Sequence, residues 1–131
     1  MNRPRILLAD DHQLVLERVT ALPQSAFDVV GAAHTGQEMI SQAMRLNPDV
    51  ADISMPELSG IEAAHQLREK GSTAKLVFLT IQSYEKFVTA CLAEGALGYV
   101  VKSQMKSDLI PAIHAALSGQ SFVSSGRQPT G

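Results

Sequence analysis

The 131 residues fall within the usual size of one compact domain and are enough to bury a core. An apolar fraction of 45% beside 18% charged residues describes an ordinary globular chain and excludes a disordered one. A net charge of −2 without clustered Lys or Arg gives no electrostatic footprint for nucleic acid, and the apolar runs are too short to span a bilayer. No membrane segment is expected.

In chain order, short apolar segments alternate with longer ones of helical period, the pattern of parallel strands joined by right-handed helical crossovers. The first strand is read at 5–9, "RILLA", and it is stopped by Asp10 and Asp11 too soon to be a secretion signal. With a single Cys91, which excludes an internal disulfide, the expected location is the cytoplasm. A helix follows over 14–22, then a strand over 27–33, "FDVVGAA", and a helix over 37–46 in which Met39, Ile40, Ala43, Met44 and Leu46 recur near a 3.6-residue period.

The third strand is read at 49–53, "DVADI", with a helix over 61–70, and the fourth at 75–80, "KLVFLT", with a helix over 85–94. The fifth is "GYVV" at 98–101, with a last helix over about 107–117. Five strands and five helices result, and the continuous apolar strands suit a sheet buried on both faces. Gly36, Gly60, Gly71, Gly95, Gly98 and Gly119 fall at or near segment ends, where positive φ can turn the chain. Residues 1–124 are read as one domain and 125–131, rich in Ser, Gly and Pro, as a flexible tail or the start of a linker.

Ligands of open parallel α/β sheets collect beyond the carboxyl ends of the strands. Asp10 and Asp11 follow the first strand, Asp52 ends the third, Thr80 ends the fourth and Lys102 follows the fifth. Crowded carboxylates raise one another's pKa unless they share a cation, and hard oxygen ligands suit Mg²⁺. An ion held by Asp11 and Asp52 would bring a phosphoryl donor to the Asp52 carboxylate, with Lys102 and Thr80 on the phosphate oxygens. The chemistry reads as phosphoryl transfer to an aspartate.

The segments "ILLADDH", "DISMPELSG", "VFLT" and "GALGYVVKS" resemble the signature segments of two-component response-regulator receiver domains. With "LSGQSFVSS" near the end, the chain is most similar to regulators that carry a C-terminal LuxR-type helix-turn-helix. The resemblance runs from about Arg5 to Ser124. It implies a flavodoxin-like, doubly wound α/β fold with five parallel strands in the order 2-1-3-4-5.

By the same resemblance Asp52 is the phosphoacceptor, Asp11 the direct Mg²⁺ ligand, Asp10 the ligand acting through water, and the backbone carbonyl of Ser54 the third protein ligand. Lys102 matches the phosphate-pairing lysine, Thr80 the hydroxyl that moves toward the phosphoryl group, and Tyr99 the aromatic that follows it. Met55, Pro56 and Gly60 shape the loop after Asp52. The implied partners are a sensor histidine kinase, a second copy on phosphorylation, and DNA only through a C-terminal domain absent from this sequence. The implied output is a changed surface around the fifth strand and its flanking helices.

Two features depart from the pattern. Members usually have about two more residues between the Pro-Asp that opens the third strand and the phosphoacceptor, whereas only Val50 and Ala51 separate Asp49 from Asp52. The deletion keeps the side-chain alternation but shortens the reach by roughly 7 Å at ~3.3 Å per residue. Either the preceding helix end is drawn toward the site, or Asp52 is withdrawn from Asp11, or the natural protein carries residues this sequence lacks. Pro111 is the second departure, since it falls inside the last helix; a late start with Ser107 as N-cap, or a kink, is expected.

Taken singly, Asp10 and Asp11 would read as helix caps, Asp52 as a turn residue before Pro56, Thr80 as a β-branched strand residue and Tyr99 as packing. His12, His34, His65, His114 and Cys91 lack ligand or catalytic spacing. The glycines of "GALGYVV" lack the order of a nucleotide fingerprint. Three classes remain: a phosphorylated switch, a degenerate receiver that binds partners without phosphorylation, and a phosphatase of the haloacid-dehalogenase type. The last requires a second acid where Ser54 stands.

Overall fold

The computed structural model describes residues 4–10, 27–55, 57–80 and 85–124. The predicted helix at 14–22 and the predicted tail at 125–131 lie outside them. In order come β1 (Arg5–Asp10), β2 (Asp28–Ala33), α1 (Gly36–Leu46), β3 (Val50–Ser54), α2 (Glu57–Glu69), β4 (Lys75–Thr80), α3 (Glu85–Ala93), β5 (Gly98–Val101), a 3-10 turn (Lys102–Gln104), α4 (Met105–Leu117) and β6 (Phe122–Val123).

All strands are parallel and lie in the order β2-β1-β3-β4-β5-β6. This is the expected flavodoxin-like arrangement with one addition. The sixth strand was not anticipated, because two residues are too few to show a period. It extends the sheet beyond β5 through Gly98↔Phe122 and Tyr99↔Val123.

Alternation along the strands divides the core into two layers. Leu7, Ala9, Ala51, Ile53, Leu76, Phe78 and Tyr99 pack with residues of α1, α2 and α3 on one face. Ile6, Leu8, Val50, Val77, Leu79 and Val100 pack with Leu109, Ala112, Ile113 and Ala116 of α4 on the other. None of the described helices is long and apolar enough to cross a membrane.

The helix boundaries follow local chemistry. Thr35 caps α1 by accepting the Glu38 N–H at 3.1 Å, while the Glu38 carboxylate accepts the His34 N–H at 2.8 Å, which satisfies donors ahead of the first turn. At its other end Asn47 takes the left-handed conformation, φ 48°, and its N–H returns to the Ala43 carbonyl at 3.0 Å. The later helices are followed by glycines at positive φ, as at Gly95, φ 90°, where the next amide, Ala96 N–H, reaches back to the Cys91 carbonyl at 3.2 Å.

Two expectations about helices are corrected. The helix read at 61–70 begins at Glu57, one turn earlier, so Gly60 lies inside its first turn. The last helix does not start late: α4 begins at Met105, directly after the 3-10 turn, and contains Pro111. Ser107 is therefore not its N-cap, and the position preceding α4 is Gln104, which makes no side-chain cap. Pro111 lies on the exposed side, where its ring meets solvent instead of the core.

Candidate functional site

Two of the three predicted acids are described, and both are buried. Asp10 is the last residue of β1 and 2% exposed, while Asp52 lies in the middle of β3 and is 3% exposed. Asp11 and Pro56 lie outside the described residues. The Lys102 ammonium reaches the site from the turn after β5 and stands 3.7 Å from Asp10 Oδ2. The end of β1, the middle of β3 and the turn after β5, spread over more than ninety positions of chain, thus bring two carboxylates and a cation together.

The expectation that Asp52 ends its strand is corrected by the register. Across β1 and β3, Leu8 pairs with Asp52 and Asp10 pairs with Ser54, so Ser54 is the residue level with Asp10. Asp52 lies two residues behind, roughly 7 Å along the strand. It shares the face of Val50, and its paired neighbours Leu8 and Val77 belong to the apolar layer under α4.

The start of β3 is tied to its neighbours. The Arg5 N–H donates to Asp49 Oδ2 at 2.7 Å, the Asp49 N–H donates to the Arg5 carbonyl at 2.8 Å, and the Lys75 N–H donates to the Asp49 carbonyl at 2.9 Å. The Arg5 guanidinium also donates to the carbonyls of Leu46 at 2.6 Å and Asn47 at 3.2 Å. These bonds hold the entry to β3 from both neighbouring strands and from the end of α1, and Asp52 stands two residues behind Asp10; its separation from Asp11 lies outside the described residues.

Withdrawal into the apolar layer has an electrostatic result. Burial pushes the Asp52 carboxyl up from its ordinary 3.8 to about 7; the Asp10 carboxylate adds to the rise and Lys102 opposes it. Asp52 Oδ1 and Ser54 Oγ are both buried without a hydrogen-bond partner among the described residues, as is Gln104 Oε1 on the turn after Lys102. A buried polar atom without a partner is costly, and such atoms at the rim of a sheet mark where a ligand supplies the partner.

The donor set fits a hard cation in its chemistry. Two carboxylates on one face, one raising the pKa of the other, are relieved by a shared divalent ion, and the rim oxygens of Ser54 are near at hand. Among the described residues no group of three or more His, Cys, Asp or Glu is arranged to hold a metal, and the third predicted acid, Asp11, is outside that set.

Thr80 and Tyr99 are placed differently from the carboxylates. By strand alternation both share the parity of Phe78, with Phe78 paired to Tyr99 and Thr80, the last residue of β4, paired to Val101. Tyr99 is fully buried, so its ring already occupies the inward position. Met55 is half-buried against the same layer. Gly60 packs closely: an added Cβ would stand 3.3 Å from Phe78 Cε1 and 3.4 Å from Ile53 Cγ2.

The sequence reading missed Ser124 and Asp108. Ser124 is wholly buried at the end of β6, and its hydroxyl links the end of β5 to α4. The only signal was the serine itself, placed directly after an apolar pair.

Comparison with known proteins gives the family. A family model described as the response regulator receiver domain matches residues 6–114. The chain belongs to that family. It is 36% identical over 128 residues to the nitrate/nitrite response regulator protein NarL of Escherichia coli strain K12, covering 95% of this chain and 59% of that protein. It is 34% identical over 124 residues to the response regulator GacA of Pseudomonas viridiflava, covering 92% of this chain and 58% of that protein. The chain thus spans a little over half the length of these relatives.

Among solved structures, a two-component response regulator of the LuxR family from Aurantimonas superposes with a TM-score of 0.85 at 29% identity, covering 95% of this chain and 91% of that one. The signal receiver domain of the NarL protein from Mycobacterium tuberculosis superposes with a TM-score of 0.83 at 25% identity, covering 92% and 100%. This receiver domain is thus related to receivers of LuxR-type transcription regulators.

Proposed function

We propose that the chain is a phosphoacceptor switch in which Asp52 takes a phosphoryl group from a phosphohistidine of a sensor kinase. A carboxylate oxygen of Asp52 attacks phosphorus as the bond to the histidine nitrogen breaks, leaving an acyl phosphate on Asp52 and the kinase imidazole free. Mg²⁺, when bound, neutralises charge on the transferring phosphoryl oxygens. Asp10, Asp11, Asp52 and the backbone carbonyl of Ser54 would hold it. Lys102 supplies a point charge to the phosphate, Thr80 a hydroxyl, and Tyr99 fills the space beneath Thr80. The chain assists its own phosphorylation and dephosphorylation and is not a turnover enzyme.

The observation that carries this reading is the meeting of Asp10, Asp52 and Lys102 from three separate strands, with Lys102 Nζ 3.7 Å from Asp10 and both groups acting on the Asp52 carboxyl. The output follows from kinship with regulators nearly twice as long: dimerisation and transcription control in the cytoplasm, with DNA held by a C-terminal domain beyond this sequence. Incubation with Mg²⁺ and a small phosphodonor, followed by intact mass measurement, is expected to show one phosphoryl adduct that Asp52→Ala abolishes. No adduct under conditions that phosphorylate a control receiver would overturn the reading.

The register supports a second reading, a degenerate receiver that binds partners without phosphorylation, because Asp52 stands two residues behind Asp10. Mg²⁺ titration followed by NMR separates the two. Saturable shifts at Asp10 and Asp52 belong to the switch, and their absence to the binding module.

A further inference from the structure

Lys102 rides on a three-residue turn that neither flanking position caps with a side chain: Val101 precedes it and Gln104 leads into α4, and neither makes a side-chain cap bond. The constraint comes instead from twenty positions further along the chain. Along β5 and β6, the Phe122 N–H donates to the Leu97 carbonyl at 2.8 Å and the Ser124 N–H donates to the Tyr99 carbonyl at 2.9 Å. The next rung of a parallel ladder would carry the Val101 N–H to a backbone carbonyl. Here the Ser124 side chain takes that place, with Oγ accepting the Val101 N–H at 3.2 Å.

The same hydroxyl donates its proton to Asp108 Oδ2 at 2.8 Å, and the other carboxylate oxygen, Oδ1, lies 3.0 Å from the Ser107 hydroxyl. Ser124 is fully buried and its bond to the Val101 N–H is shielded from water, while the bond to Asp108 is part-buried. One hydroxyl therefore joins the residue just before the Lys102 turn to the fourth residue of the helix just after it. Accepting from an amide while donating to a carboxylate is within reach of serine or threonine and beyond alanine.

We propose that Ser124 is the positioning residue of Lys102. Through Val101 and Asp108 it fixes both ends of the turn that holds the ammonium against Asp10, and it makes the chain leaving the domain part of the same clamp. A displacement of Lys102 is then felt at residue 124, and a pull on residue 124 is felt at Lys102. The consequence for phosphoryl chemistry rests on the role given to Lys102 above; the clamp itself does not.

The test uses the full chain labelled with ¹⁵N, with two readouts that need no phosphorylation. In Ser124→Ala, exchange of the Val101 amide is expected to quicken by about tenfold or more as its acceptor is lost. The Lys102 Nζ resonance is expected to move toward its position in Asp10→Asn, where the ion pair is absent. Ser124→Thr, which keeps the hydroxyl, should restore both. Unchanged Val101 protection, or an unchanged Lys102 Nζ signal, in Ser124→Ala would overturn the proposal. If that variant does not fold, Asp108→Ala decides by the same two readouts, an unmoved Lys102 signal again counting against it. Failure of the wild-type chain to take a phosphoryl group would remove the acceptor role of Asp52 and leave these readouts to judge the clamp alone.

Discussion

The ends of β3 and β5 lie on the same edge of one sheet and are built in opposite ways. At β3 the entry is held by five hydrogen bonds through Arg5 and Asp49, while the exit leaves Asp52 Oδ1 and Ser54 Oγ without partners among the described residues. At β5 the exit is the held part, with Val101, Ser124 and Asp108 satisfying one another. The contrast is one of satisfaction: two buried oxygens at the β3 exit lack partners among the described residues, whereas the polar groups after β5 satisfy one another.

The comparison is broken most forcefully by removing the charge that β3 buries. The folded pKa of Asp52, about 7, lies above its unfolded value of 3.8. A carboxyl shifted this way contributes fully to stability below about pH 4, and that contribution is lost as pH rises through 7, on the order of 4 kcal/mol by pH 8. Asp52→Asn, which has no charge to bury, is therefore expected to exceed the wild type by up to about 4 kcal/mol in urea unfolding at pH 8 and to match it near pH 4. Saturating Mg²⁺ should narrow the gap at pH 8 by stabilising the wild type alone.

Next in size is the effect of restoring the missing length. Two apolar residues inserted between Val50 and Ala51 keep the alternation and bring the acceptor level with Asp10. The rate of adduct formation from a small phosphodonor is expected to rise on the order of 100-fold, the scale of a misplacement relieved at a reacting group. A rate that stays flat would mean that the recess does not limit the chemistry.

The start of β5, the opposite end from Val101, is probed by crowding it. An added Cβ at Gly98 would meet Val77 Cγ2 at 2.9 Å and Cγ1 at 3.0 Å, and Val77 pairs with Asp52. Gly98→Ala should lower stability by about 1–3 kcal/mol, read by chemical denaturation. The smallest effect has the opposite sign. Ser54→Ala deletes a buried hydroxyl that has no partner among the described residues and is expected to raise the stability of the metal-free protein by about 1 kcal/mol.

Much of this was legible in the sequence for definable reasons. The strands at 75–80 and 98–101 are continuous apolar runs bounded by polar or glycine residues, and they form over those positions. Of the site, the nearness of Lys102 to Asp10 was legible, since both follow from the carboxyl ends of parallel strands. The shortness of the third strand could be counted, but the bonds that hold its entry join Arg5 and Asp49, forty-four positions apart in the chain. The start of α2 was hidden because Pro56 and Gly60 read as turn residues, although Gly60 serves close packing over Phe78. Pro111 misled in the other direction, since on an exposed helix face its ring is tolerated.

The added strand β6 also decides how this sheet meets its surroundings. An unpaired border is an invitation to foreign strands, and a very short terminal strand withdraws it. Here β5, with its buried Tyr99, is shielded by a stub of two residues, while β2 forms the opposite border and shows Asp28 and Ala32 to solvent. Among the described strands β2 is the longer of the two borders, and Asp28 places a charged residue at its start.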